Sequence, residues 1–337
     1  MTTRPLFIHL LVFAACLCGC AGDEYPEETV NEVLCTIDLQ AESGVQIDTR
    51  AVDENTVSEV WIVQLAQDGS EALTTPVHAT PTAGNKVQVR LKKQACKLYF
   101  FANTGNNALF DLSAAPGTLT ASVVEGKQMT LAPGGHWGSL SVMPMYATWS
   151  GTPAAQLGPV KLTRCLAKVQ INISNSTGGK LSISSMRLKA VPNVLKYSPT
   201  STEPYPQATG TYLDYAATLA NSATYFMAEN CRGKGSERSE LEKRGQSVAD
   251  GTYATHYEII GKYSGVDVTY RFYLGENNTN DYNVRRNTSY TMNITIKGKN
   301  PADTRVTIEA TPLLISTGSG TTWGDGSTST VVGGDRI

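Results

Sequence analysis

The sequence predicts an all-β fold, and three observations carry that expectation. Short runs rich in Val, Ile, Tyr, Phe and Trp recur along the chain and are closed by clusters of Gly, Asn, Asp and Ser. Residues 86–91 alternate strictly, with Val87, Val89 and Leu91 on one face and Lys86, Gln88 and Arg90 on the other. The composition, with 30 Gly and 15 Tyr but only 17% charged residues, lacks the Glu-, Lys- and Leu-rich stretches of helical proteins. Many short strands joined by polar turns mean a sandwich or a barrel.

A length of 337 residues exceeds what one hydrophobic core usually organises, so two domains are expected. A formal net charge of -2 gives no electrostatic ground for binding nucleic acid or an anionic membrane.

Taken from the start of the chain, the first element is a signal peptide. Arg4 precedes an apolar run over 6–17, too short to span a bilayer, which ends in Leu17-Cys18-Gly19-Cys20. This is a lipobox: residues 1–19 are the signal peptide and Cys20 is the expected lipidation site, with Cys16 as the weaker alternative. Asp23, Glu24, Glu27 and Glu28 follow, either as an export tag for the outer face of the outer membrane or as a solvated tether. Residues 20–50 form a leader with one apolar stretch at Val33, Leu34, Ile37 and Leu39, which is a leader strand or a tether.

Beyond the leader, 57–65 meets a turn signal at 67–70 and opens the core of a domain spanning 51–157. Residues 86–91 form a half-buried strand, and 98–102, apolar on both faces, a central one. Residues 146–159 hold Gly151, Pro153, Gly158 and Pro159 without periodicity and are the expected linker. The second domain, 158–337, has strands expected at 167–173, 181–183, 186–190, 225–227, 253–260, 266–274 and 290–296, and a Gly- and Ser-rich tail. Two interruptions, 191–215 and 233–245, are expected as surface decorations, the second as a solvated helical turn. Cys35, Cys96, Cys165 and Cys231 lie far apart with no metal-site spacing; export permits disulfides, but no bridge is required.

Several strings, in this order, resemble the fimbrillin family of Bacteroidales, type V pilin-like lipoproteins. Arg164 precedes Ala167-Lys168-Val169 as in the opening strand of that family's second domain, and Tyr225-Phe226-Met227-Ala228-Glu229-Asn230 is similar to its aromatic strand ending in Glu-Asn. Tyr273-Leu274-Gly275, then Arg286-Asn287 before Tyr290, resembles its closing strands, and Met143-Pro144-Met145 fits the end of the first domain. Arg286-Asn287 also suits a turn, and Glu229-Asn230 a cap at a strand end. The resemblance implies two transthyretin-like β-sandwich domains in tandem. It also implies assembly into a fimbrium: an Arg-specific protease cuts between Arg50 and Ala51, and the exposed groove accepts a strand from another subunit. The tail near Leu313 is then either a donor strand or the last strand of its own domain.

No catalytic constellation is visible. His78, His136 and His256 are scattered, and phosphate-loop, dinucleotide, nucleophile-elbow and calcium-loop patterns are absent, so no catalytic residue, cofactor or metal is expected. Trp137, Trp149, Tyr205, Tyr212 and Trp323 are either packing or a surface for a host or bacterial ligand. The expected partners are other fimbrial subunits, the protease, such a surface ligand and the outer-membrane lipid anchor. The alternative is a stand-alone surface lipoprotein that binds glycan or host protein, and a sandwich hydrolase is the third reading.

Overall fold

Alternating side chains become strands where both faces find a neighbour, and they do so through most of this chain. The computed structural model describes residues 31–42, 54–105, 109–111, 116–200, 203–206, 210–217, 219–245, 247–248 and 251–313. Eight strands precede Cys165: β1 Glu32–Ala41, β2 Val60–Ala66, β3 Val77–Ala79, β4 Lys86–Lys92, β5 Cys96–Ala102, β6 Gln128–Thr130, β7 Met145–Gly151 and β8 Gln156–Arg164. Seven of them form one sheet in the order β3-β2-β5-β7-β8-β1-β4. Between β7 and β8 only Met145↔Arg164 and Tyr146↔Thr163 are paired, so the sheet folds over at that seam. The apolar faces of Trp61, Phe100, Phe101, Ile37, Val89 and Leu162 are buried in the core.

Eleven strands follow among the described residues: β9 Leu166–Asn175, β10 Leu181–Pro192, β11 Val194–Lys196, β12 Tyr212–Ala216, β13 Ser222–Ala228, β14 Asn230–Lys234, β15 His256–Tyr263, β16 Val266–Tyr273, β17 Asp281–Val284, β18 Thr288–Ile296 and β19 Thr304–Pro312. They make two four-stranded sheets, β13-β9-β18-β19 and β12-β10-β15-β16, with small ladders β14-β17 and β11-β6. The all-β expectation therefore holds, and the layers are sandwich layers.

Three expectations are corrected. Residues 146–159 are not a linker: most of them lie in β7 and β8, and β8 is hydrogen-bonded into the first sheet, so the change of sheet falls at Cys165 rather than 157/158. Gly158 and Pro159 broke the periodicity because they form a bulge: Ile37 faces Leu157 and Leu39 faces Val160, leaving two residues of β8 opposite Asp38. The strands expected at 181–183 and 186–190 are one strand, β10, with a register shift between Ile183 and Ser185. The segment 233–245 holds the expected helical turn, at Glu240–Lys243, but it is anchored rather than merely solvated: Lys243, 3% exposed, donates to the Asn277 carbonyl at 2.6 Å, and Glu237 accepts from the Tyr282 hydroxyl at 2.7 Å.

Cys35, Cys96, Cys165 and Cys231 are free and buried. Burial pushes each thiol upward, that of Cys165 to about 12. Since the thiolate is the reactive form, none of the four should react with a colorimetric thiol reagent at pH 8 in the folded chain begun after Cys20, and all four should react once it is unfolded. Fast reaction of any of them before unfolding would contradict this packing.

Candidate functional site

β1 is the most informative element because it lies in the segment 20–50, expected from the sequence as a leader, yet is built into the core. Its inward side chains Cys35, Ile37 and Leu39 are fully buried, while Leu34 just before them is 49% exposed, the signature of a strand with one face in a sandwich. On one side it runs antiparallel to β4, with Val33, Cys35 and Ile37 opposite Leu91, Val89 and Val87. On the other it runs parallel to β8, with Ile37, Leu39 and Ala41 opposite Leu157, Val160 and Leu162. Backbone bonds lock both ends of the ladder with β8: Thr36 N–H donates to the Ala155 carbonyl at 2.9 Å and Glu42 N–H to the Leu162 carbonyl at 2.8 Å. Lifting β1 out would uncover an apolar slot bounded by two unpaired strand edges.

The far wall of that slot, β4, is the edge of the sheet, and among the described strands its ladder partner is β1. It is held independently by Gln64, a fully buried side chain of β2. The Gln64 amide donates to the Lys92 carbonyl at 2.8 Å and accepts the Lys92 N–H at 2.9 Å, taking the place of a neighbouring strand's backbone.

At the foot of the slot stands Arg164, the last residue of β8 and 1% exposed. Its Nε donates to the Glu54 carbonyl at 2.7 Å and its Nη2 to Asn55 Oδ1 at 2.7 Å. Its Nη1 donates to the carbonyls of Glu42 at 2.7 Å and Leu313 at 3.1 Å, and to Asn287 Oδ1 at 3.3 Å. Burial lowers the guanidinium pKa, and the Glu54 and Glu42 charges counter that. Lys168, also buried, donates to Glu54 Oε1 at 2.7 Å. The Glu42 carboxylate accepts from Thr163 Oγ1 and from Asn287 Nδ2, both at 2.9 Å. Arg164 thus grips both flanks of the segment 43–53, which contains Arg50 and Ala51. Cys20, Arg50, Ala51 and Trp323 themselves lie outside the described residues.

The other strings singled out in the sequence meet close by. Arg286 and Glu229 form a buried ion pair at 3.0 Å, and Arg286 also donates to the Lys196 carbonyl at 2.9 Å. Glu229-Asn230 is not a strand cap: Asn230 Nδ2 donates to the Ala190 and Tyr253 carbonyls and to Thr255 Oγ1, tying β14 to neighbouring elements. Asn287 occupies the left-handed region at φ 53 and turns the chain into β18.

The three histidines among the described residues stand apart. His78 stacks on Trp61 and meets Glu59 at 3.0 Å, His136 stacks on Tyr215, and His256 meets the Ala254 carbonyl at 3.0 Å. Among the described residues no three His, Cys, Asp or Glu side chains are gathered into a metal set. Trp137 is fully buried and donates to the Pro192 carbonyl at 2.8 Å, so it is packing, not a surface platform.

Arg164→Met should lower unfolding free energy by about 3–5 kcal/mol, because it strands several buried acceptors. Arg164→Lys should recover only part of this, since one ammonium cannot reach acceptors spread around a planar fork. Denaturant midpoints of the three proteins check both statements; an unchanged midpoint in the Met variant would refute the hub.

The comparisons with known proteins bear on the fold. Residues 225–294 match a family described as a domain of unknown function (DUF4906). No curated protein matches the sequence. Among solved structures, the tip fimbrial protein Mfa3 from Porphyromonas gingivalis, with a C-terminal truncation, is similar at a TM-score of 0.58 and 15% identity, over 83% of this chain and 99% of that one. A fimbrilin (fimA) from Porphyromonas gingivalis W83 is similar at a TM-score of 0.56 and 13% identity, over 84% of this chain and 98% of that one. At these identities the shared property is the fold: this chain has the β-sandwich architecture of those fimbrial proteins.

Proposed function

We propose that this protein is a structural and adhesive subunit of a cell-surface fimbria, shaft, tip or accessory. It is exported as a lipoprotein through Cys20, placed on the outer face of the outer membrane, and matured by an Arg-specific protease that cuts between Arg50 and Ala51. The cut separates β1 from the rest of the sandwich, and the slot between β4 and β8 then takes a strand from another subunit. The observation that carries this reading is β1 itself: a strand upstream of Arg50 whose inward face is buried, which is paired on both edges and ends at Ala41. A mere tether has no need to be core. The likeness in fold to fimbrial proteins supports the same reading, as does the recurrence of the family's strings around the junction at Arg164.

Two tandem sandwich domains meeting at Cys165 belong to this proposal, and catalysis does not. Each histidine is engaged locally, apart from the others. The strand-addition joint is strong for a simple reason. A donated strand restores two edges of backbone pairing and reburies apolar side chains worth about 1.5–3 kcal/mol each.

The intact mass and first residue of protein sheared from the native surface test the proposal. A chain beginning at Ala51 within stable oligomers is the expected result, and Arg50→Ala should leave a chain that keeps Cys20 and its lipid and does not join oligomers. A wild-type protein found only as a lipidated monomer beginning at Cys20 would overturn strand donation and favour a stand-alone lipoprotein that binds glycan or host protein.

A further inference from the structure

We infer that the slot is selective for strands carrying a carboxylate at the position of Glu42, three residues beyond the last buried apolar side chain. This rests on the strand-donation reading and specifies the partner's chemistry. The partner is an extended segment with apolar side chains at the alternate positions of Cys35, Ile37 and Leu39, followed by Asp or Glu where Glu42 now stands.

The backbone ladders along β4 and β8 are indifferent to sequence, and the inward positions ask only for apolar side chains of suitable volume. The foot of the slot asks for more. There the Glu42 carbonyl takes one Arg164 N–H, which any residue's backbone provides. The Glu42 carboxylate takes the Thr163 hydroxyl and the Asn287 amide, which only an acceptor side chain provides. Glu42 lies on the leader side of Arg50, whereas Glu54, Asn55, Thr163, Asn287 and Leu313 all lie on the other side. Loss of the leader therefore removes one acceptor and leaves the rest of the hub in place.

The charges agree. Arg164 and Lys168 are buried beside two carboxylates, Glu54 and Glu42. Without Glu42 two cations share one anion in a poorly solvated place, and a donated strand with an aliphatic residue there would leave both the charge and the Asn287 amide unmatched. An acid restores the original count. The bulge sharpens the requirement, because Gly158-Pro159 opposite Asp38 fixes how far the last apolar side chain lies from the foot.

The test uses the full chain with a site-specific protease sequence placed within 43–50, folded first and cut afterwards, so that it does not depend on cutting at Arg50. Amidated, fluorescent peptides of residues 31–42 are offered to the cut protein under reducing conditions, in low denaturant to release the resident strand, and incorporation is followed by anisotropy. The unaltered peptide should incorporate. Its Glu42→Ala form should need about tenfold more peptide or greater, its Glu42→Gln form should fall between, and its Ile37→Asp form should not incorporate. In a host carrying Thr163→Val with Asn287→Gly, where glycine keeps the left-handed backbone, the unaltered and Glu42→Ala peptides should become equivalent. Equal incorporation of those two peptides by the unaltered host would overturn the selectivity and leave the slot standing. Failure of every peptide would overturn the slot and, with it, strand donation.

Discussion

A guanidinium carries five N–H donors and does not shed its charge in a protein, so burying one obliges the chain to bring acceptors to it. Arg164 imposes that obligation here. Its acceptors come from Glu42 at the end of β1, Glu54 and Asn55 before β2, Asn287 in the turn before β18, and Leu313 just after β19. These residues lie 109 to 149 positions from Arg164 in the chain. The seating of β1, the turn into β18 and the end of the last described strand are thereby fixed against one another. A shift in any of them leaves a buried polar group unmatched, at about 1–3 kcal/mol each.

The same junction explains why the two sets of sheets cannot be treated as independent. β8 ends at Arg164 in the first sheet and β9 begins at Leu166 in another, so one residue, Cys165, separates the two ladders. Around it are packed Arg286 with Glu229, and Tyr197, whose carbonyl accepts from Arg286. A junction this short and this polar transmits the position of β8 directly to β9. It places the wall of the slot and the opening strand of the following sheets on one rigid stretch of chain.

Much of the fold was legible because its strands are half-buried and alternate. Val87, Val89 and Leu91 announced β4, and the doubly apolar 98–102 announced a central strand, which β5 is, flanked by β2 and β7. Legibility failed where local chemistry imitated a linker. Gly158 and Pro159 lie within β8, and a proline is tolerated there because a bulge frees it from donating to the ladder. The site was legible only in outline. Arg164, Lys168 and Asn287 could be picked out as members of strings, but a guanidinium's partners, drawn from remote stretches of chain, leave no periodic trace. Nor does a pattern of residues disclose that Gln64, in the middle of an apolar strand, faces the backbone of Lys92 rather than solvent.

Gln64 also bears on the strand exchange proposed above. The two walls of the slot differ in what else holds them. β8 keeps its two residue pairs with β7 and the grip of Arg164 whether or not β1 is present, whereas β4 has no other ladder partner among the described strands. With β1 gone, β4 rests on the burial of Val87, Val89 and Leu91 and on the paired bonds from the Gln64 amide to Lys92, at the end of β4 that faces Glu32. The other end, opposite Asp38, is tied by Thr82, whose N–H and hydroxyl donate to the Lys86 carbonyl at 2.8 and 3.0 Å. In that exchange an incoming strand meets walls pinned at the Arg164 end of β8 and at both ends of β4. Displacement of β1 residue by residue is favoured over its wholesale loss, because each inward side chain withdrawn is replaced before its pocket fills with water. The foot of the slot, where the acid is bound, is then where the fit of a new strand is decided.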